Sequence, residues 1–238
     1  SGRLSGYINS YGFHGIHGRA LPLAQGLKMA NRDLHVIASG GDGDGFAIGM
    51  GHTVHAIRRD IDLTYVVMDN QIYGLTKGQT SPRSAHGFIT KSTPNGSIEP
   101  SIKPLEVALS AGATFVAQGF STDIKELTAL IEAGIQHKGF AFINVYSPCV
   151  TYNKVNTYEW FKEHLTKLSD IEGYDPQNRE QAMQVVMEKE SLVTGIVYQD
   201  LESKPYEEKA EGFSETPLVE ADLKISEHDF EALVKEFM

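Results

Sequence analysis

Four short apolar runs set the pattern of this chain: Leu34 to Ser39, Leu63 to Met68, Thr114 to Gln118 and Phe140 to Tyr146. They are rich in β-branched and aromatic residues and are apolar without alternation, which marks strands buried on both faces. Helical spacing separates them, over Arg19 to Ala30, Phe46 to Arg59, Pro104 to Ala111 and Thr122 to His137, and returns over Thr157 to Leu168. Ser121 or Thr122 is the expected N-cap of the fourth helix. Strand and helix in alternation predict an α/β fold with a mainly parallel sheet and helices on both faces.

Ligands of such sheets bind beyond the carboxyl ends of the strands, and two polar loops stand there. Ser39-Gly-Gly41-Asp42-Gly43-Asp44-Gly45 follows the first run, and Asp69-Asn70-Gln71-Ile72-Tyr73-Gly74 follows the second, which places Asp42 and Asn70 28 positions apart. Glycines let main-chain amides approach an anion, and the helix after the first loop presents its N-terminus. A carboxylate, an amide oxygen and a main-chain carbonyl near Ile72 suit a hard cation such as Mg²⁺, which takes few protein ligands and completes its shell with phosphate and water. A metal-bound diphosphate is the natural guest. The plainer alternative is that Asp42 and Asn70 only shape turns.

Other phosphate and metal motifs fail when read literally. Gly-x-Gly-x-x-Gly would need a glycine where Phe46 or Ile48 stands, and no Gly-Lys-Ser/Thr phosphate loop occurs. A calcium loop starting at Asp42 would have Phe46 at its fifth position and Thr53 at its twelfth.

The wording around these loops is more specific than the loops themselves. His17-Gly18-Arg19-Ala20-Leu21-Pro22, Gly41-Asp42-Gly43-Asp44, His55-Ala56-Ile57-Arg58-Arg59, Asp69 through Gln79 and Ser147-Pro148-Cys149-Val150 together resemble the β subunit of 2-oxoacid:ferredoxin oxidoreductases, over roughly residues 1 to 160. The resemblance implies a thiamine-diphosphate-binding (pyrophosphate-type) module. It implies oxidative decarboxylation of a 2-oxoacid to acyl-CoA and CO₂, or the reverse carboxylation, with electrons passing through a 4Fe-4S cluster to ferredoxin. It further implies Mg²⁺ at Asp42, Asn70 and the Ile72 carbonyl, with Gly18, Gly41, Gly43, Asp44, Gly74, Leu75 and Thr76 around the cofactor. The carboxylate that activates the cofactor's aminopyrimidine would come from an α subunit, so no Glu here is assigned that role.

Three residues are candidates for acting on substrate. His17 and Arg19, just before a helix, can face an anionic cofactor or substrate, the alternative being a structural His and a helix-end charge. Lys77 stands in Leu75-Thr76-Lys77-Gly78, wording that resembles relatives accepting 2-oxoglutarate. A second substrate carboxylate is costly to desolvate without a cation, and Lys77 supplies one. Otherwise Lys77 is a solvated loop lysine, and Arg83 or Arg19 does that work. His14, His52 and His55 lack further nitrogen or thiolate ligands nearby and are assigned to packing.

Cys149 is the sole cysteine, so no disulfide forms within the chain, and taken alone it reads as a packed thiol. The resemblance makes it one ligand of the 4Fe-4S cluster, which requires four thiolates. The other three would precede Ser1-Gly2-Arg3, so the chain is expected to begin inside a longer product, the alternative being a cluster-free variant.

Residues 200–238 carry 12 acidic groups against four Lys, so only −2 of the net charge of −10 belongs to everything before them. Nucleic acid is therefore not an expected partner. That tail, with Leu201, Tyr206, Phe213, Leu218, Val219, Leu223, Phe230, Leu233, Val234 and Phe237 interleaved, is read as an acidic arm beside a cofactor domain of residues 1–199, either packed on a partner subunit or solvated. No apolar run approaches 18 residues and the N-terminus holds no apolar signal, so the expectation is a cytoplasmic, membrane-free chain in an assembly with the α subunit. Two rival classes stay open: the thiamine-diphosphate subunit of a non-oxidative decarboxylase or acetohydroxyacid synthase relative, and a non-catalytic Mg²⁺-nucleotide scaffold.

Overall fold

The computed structural model describes residues 4–211 and 216–238; Ser1 to Arg3 and Phe213 lie outside them. The elements run α1 Leu4–Tyr7, α2 Ala20–Ala30, β1 Ile37–Gly41, a π-helical turn Asp44–Ile48, α3 Met50–Arg59, β2 Leu63–Asp69, α4 Pro104–Ser110, β3 Phe115–Phe120, α5 Ile124–Gln136 and β4 Phe140–Tyr146. There follow α6 Tyr158–His164, β5 Thr166–Lys167, a 3₁₀ turn Leu168–Asp170, α7 Arg179–Glu188, β6 Val193–Gln199, α8 Tyr206–Lys209 and α9 Glu227–Glu236.

Among the described residues the strands form one sheet in the order β1-β2-β4-β3-β6-β5. All neighbours are parallel except β3 and β6, which run antiparallel. The larger core fills one face, where Leu21 of α2, Ile57 of α3, Leu105 of α4 and Val186 of α7 meet Tyr65, Val67, Val116 and Phe142. On the other face Leu130 of α5 packs with Val66, Ala117 and Ile143. Burial on both faces explains the unbroken apolar runs of β2, β3 and β4, whereas β1, expected to be buried likewise, is an edge strand that alternates exposed and buried residues, with Ile37 42% exposed. No helix among the described residues is long and apolar enough to cross a membrane.

Several boundaries depart from the expected ones, each for a local reason. β1 starts at Ile37 rather than Leu34, because buried Lys28 donates to the carbonyls of Arg32 (2.8 Å) and Leu34 (2.9 Å) and holds that segment out of the sheet. α5 is capped by Asp123, whose carboxylate accepts from Glu126 N at 3.2 Å, not by Ser121 or Thr122. Ser121 N bonds Tyr146 O at 2.9 Å instead, prolonging the strand contact. The helix expected over Phe46 to Arg59 breaks at Gly49, and the one over Thr157 to Leu168 ends at His164, after which Thr166 and Lys167 pair with β6. Not expected from the sequence were α1, β5, α7 and β6; the run Val193-Thr194-Gly195-Ile196-Val197-Tyr198 carried a strand signal interrupted by Gly195, which lies just past the register shift against β3.

In the tail, α8 docks on the body through Tyr206 N to Asp60 O (2.9 Å), while α9 buries none of its residues.

Candidate cofactor and metal site at the sheet edge

β1 and β2 pair so that Gly41 lies beside Met68. One residue further on, Asp42 and Asp69 leave adjacent strand ends, which lie roughly 5 Å apart, and Asn70 follows. The two sequence loops are thus brought together at the carboxyl edge, where the fold class puts ligands.

Asp42 is 2% exposed. One of its oxygens, Oδ2, accepts from Ser81 Oγ at 2.6 Å. Burial, and then the neighbouring Asp69 carboxylate, push its pKa up to about 7. A divalent cation relieves that cost directly, so the carboxylate fits the metal it was expected to hold. Asn70 Oδ1 accepts from Ile72 N at 3.1 Å, shaping the turn as the plainer reading had it, and its carbonyl retains a second lone pair for a ligand. Ile72 is buried. Among the described residues no three His, Cys, Asp or Glu side chains cluster as a metal site, so a cation here would draw on one carboxylate, one amide and main-chain oxygen.

The segment before α2 joins this edge. Gly18 N donates to Asp44 Oδ1 at 2.5 Å and His17 Nδ1 lies 3.9 Å from the same oxygen. Gly18 has φ +72°, and a Cβ there would lie 2.4 Å from Ile48 Cγ2, so only glycine lets this turn sit against the π-helical turn. His17 is also 6.3 Å from the Tyr73 ring. Arg19 is exposed and directs Nη1 to the carbonyls of Gly18 (3.1 Å) and Ile48 (3.3 Å), closing the same junction.

Tyr73 was not singled out from sequence, yet its ring fills the space above Gly43: a Cβ on Gly43 would lie 2.0 Å from Tyr73 Cε1. Burial, then Asp42 and Asp44, raise its phenol pKa. Residues 73–79 form a tight turn, with Tyr73 N bonded to Gln79 O and Gly78 N to Tyr73 O, both at 2.9 Å. Leu75, Thr76 and Lys77 stand exposed on it, Lys77 with φ +74°. Gly74 faces both Asn70 and Cys149: a Cβ there would lie 3.4 Å from Cys149 Sγ. Cys149 therefore adjoins the Asn70 loop. It is the one cysteine of 238 residues, so these residues do not by themselves make a four-thiolate cluster site.

Two assignments change. Arg83 does not face a substrate: it is 4% exposed, and its Nε donates to Asp69 Oδ2 at 2.7 Å. Burial opposes its charge, but Asp69 raises its pKa above the ordinary value. His55 is exposed rather than packed, His52 is half-buried, and His14 is exposed and bonds Ser5 Oγ at 2.8 Å.

The mainly parallel sheet carries a glycine-rich acidic loop and an Asn loop at neighbouring strand ends, and this part of the chain matches a thiamine pyrophosphate-binding domain. The family model "Thiamine pyrophosphate enzyme, C-terminal TPP binding domain" matches residues 2–145, and the model for the C-terminal part of the pyruvate ferredoxin oxidoreductase beta subunit matches residues 149–215. The chain is 47% identical over 178 residues to 2-oxoacid:ferredoxin oxidoreductase subunit beta of Saccharolobus solfataricus, covering 74% of this chain and 58% of that one. It is 46% identical over 153 residues to 2-oxoglutarate oxidoreductase subunit KorB of Mycobacterium tuberculosis, covering 64% and 41%. A solved structure of 2-oxoglutarate:ferredoxin oxidoreductase from Magnetococcus marinus, with 2-oxoglutarate, coenzyme A and succinyl-CoA bound, superposes with a TM-score of 0.87 at 36% identity, over 98% of this chain and 79% of that one. The chain belongs to the β subunits of 2-oxoacid:ferredoxin oxidoreductases. It spans about half the length of the curated relatives it matches.

Proposed function

We propose that this chain is the cofactor-holding part of an enzyme that oxidatively decarboxylates a 2-oxoacid, 2-oxoglutarate foremost, to its acyl-CoA and CO₂, or runs the reverse carboxylation. The observation that carries the reading is Asp42: a buried carboxylate, 2% exposed, at the end of the strand paired with the one that leads to Asn70.

Thiamine diphosphate, when bound, supplies the nucleophilic carbon and the electron sink for decarboxylation. Asp42, Asn70 and the Ile72 carbonyl would hold Mg²⁺, and Gly18, Gly41 and Gly43 would let the main chain approach the diphosphate, with Asp44 fixing the Gly18 turn. Gly74, Leu75 and Thr76 complete the cofactor wall. His17 and Arg19 orient the substrate's anionic end, and exposed Lys77 pairs with the distal carboxylate of a dicarboxylic oxoacid. An α partner closes over this edge and supplies the activating carboxylate, and ferredoxin takes the electrons. Cys149 contributes one thiolate to a 4Fe-4S cluster whose remaining ligands lie outside these 238 residues.

The test is CoA-dependent dye reduction by the chain co-purified anaerobically with its partner, using 2-oxoglutarate and pyruvate, in wild type and Lys77→Ala. A 2-oxoglutarate preference that falls about tenfold in Lys77→Ala supports the reading, a loss of one charged pairing being worth about that factor. Equal rates with both acids in both proteins would remove the specificity, and no CoA-dependent reduction with either acid would remove the activity.

A further inference from the structure

A third segment, Ser81-Pro82-Arg83-Ser84, touches both loops of the site. Ser81 Oγ donates to Asp42 Oδ2 at 2.6 Å, Arg83 Nε to Asp69 Oδ2 at 2.7 Å, and Ser84 Oγ to the carbonyl of Gln71 at 2.7 Å. Gln71, immediately before Ile72, is held in the left-handed region with φ +60°. Ser81, Arg83 and Ser84 are 5%, 4% and 3% exposed, so these bonds are made away from water, where they are strongest.

The turn is itself rigidly built. Ser84 N bonds Ser81 O at 3.0 Å, Ser81 N bonds Ser84 Oγ at 3.0 Å, and Arg83 N bonds Ser81 Oγ at 3.2 Å. Behind it, Arg83 Nη1 donates to Ser101 Oγ at 3.1 Å and to the Ile102 carbonyl, while Ile102 N returns a bond to Pro82 O at 2.9 Å. A planar guanidinium spans both sides at once; a lysine ammonium, a point donor, does not.

Two carboxylates at adjacent strand ends repel, and Arg83 is the cation whose field offsets them. We propose that the Ser81 to Ser84 turn, centred on Arg83, is the positioning element that sets the Asp42 and Asn70 loops at the spacing a divalent cation requires. The inference rests on the metal-diphosphate reading of the site. The three side chains would act through the candidate ligands: Ser81 orients Asp42, Arg83 anchors the strand end from which Asn70 departs, and Ser84 fixes the carbonyl preceding Ile72.

The experiment uses Mn²⁺ with thiamine diphosphate on the chain in complex with its partner. Free Mn²⁺ is counted by electron paramagnetic resonance, and the spectrum of bound Mn²⁺ is recorded at saturation. Ser81→Ala and Arg83→Lys are each expected to weaken Mn²⁺ about tenfold, the usual scale for groups that hold ligands in place, and to alter the bound-Mn²⁺ spectrum. Arg83→Gln weakens it further. Thr114→Val, at the opposite sheet edge, is the control: it lowers the melting temperature while leaving affinity and spectrum unchanged. Affinity within twofold of wild type and an unchanged spectrum in both Ser81→Ala and Arg83→Lys would overturn the proposal, whether or not Arg83→Gln folds. A wild-type complex that binds no Mn²⁺ with thiamine diphosphate would instead overturn the reading of the site beneath it.

Discussion

At the amino edge of the sheet Asp60 receives four donors: Thr114 Oγ1 (2.6 Å) and Phe140 N (2.9 Å) on Oδ1, Ser203 Oγ and Lys209 Nζ (both 3.1 Å) on Oδ2. At the carboxyl edge Asp42 receives the Ser81 hydroxyl, and the neighbouring Asp69 has one oxygen, Oδ1, buried without a partner. Both aspartates sit in interiors of similar burial, 5% and 2% exposed. A carboxylate saturated by donors fastens the chain, here closing α3, β3, β4 and the segment leading into α8 on one another. A carboxylate left short of donors raises the energy of the empty fold and is stabilised by a cation.

Asp42→Asn breaks that contrast most sharply. Mg²⁺-thiamine diphosphate affinity is expected to fall at least about 100-fold, about 3 kcal/mol, since the amide carries no charge to the cation. The melting temperature of the ligand-free chain should hold or rise. A fall in both quantities would place Asp42 with Asp60 as a fastener.

Asp60→Ala is the mirror experiment. It strands four donors and is expected to cost about 2–3 kcal/mol in urea unfolding, with Mg²⁺ affinity within about twofold of wild type. Weakened cation binding there would show the two edges to be coupled.

The pH response separates them next. Asp42 titrates in the fold at about 7 against an ordinary value of 3.8, so its protonated form is favoured by folding. The stability it contributes to the ligand-free chain is present in full below about pH 3.8 and is lost as pH rises through about 7. Cation and proton compete, so Mg²⁺ affinity should climb about tenfold per pH unit from roughly pH 5 to 7 and level off above. Isothermal titration across that range checks it, and Asp42→Asn should flatten the slope. A flat wild-type profile would remove the carboxylate from the metal shell.

Lys209→Ala is the smallest perturbation. The Lys209 side chain is 53% exposed, so its pairing with Asp60 is screened and its removal should cost about 0.5 kcal/mol. A cost above about 2 kcal/mol would mean that the ion pair, rather than Thr114, Phe140 and Ser203, fastens this edge.

Much of this arrangement was legible in the residues. Strand β4 ran Phe140 to Tyr146 as expected, because a strand buried on both faces writes its burial directly into consecutive apolar residues. The strand-end positions of Asp42 and Asn70 were legible because each follows a short strand-like run, although β1, at the sheet edge, is half-exposed while β2 is buried on both faces. Tyr73 above Gly43 was not, since an aromatic after a strand reads as core and nothing local says which glycine it covers. Arg83, held only as an alternative to Lys77 for the substrate cation, was not legible as Asp69's partner, because sequence shows a charge but not the acid 14 residues away that neutralises it.

Sequence by itself determined the alternation of strands and helices, the two loops that end neighbouring strands, and the family wording, since burial period and turn chemistry act over a few residues. Only the tertiary structure decided how the charges are distributed. It set Ser81 on Asp42 across 39 residues, Gly18 on Asp44 across 26, and four donors on Asp60 from segments as far as 149 residues away. The physical reason is range: a hydrogen bond's worth depends on its partner and on exclusion of water, and both are fixed only when distant segments pack.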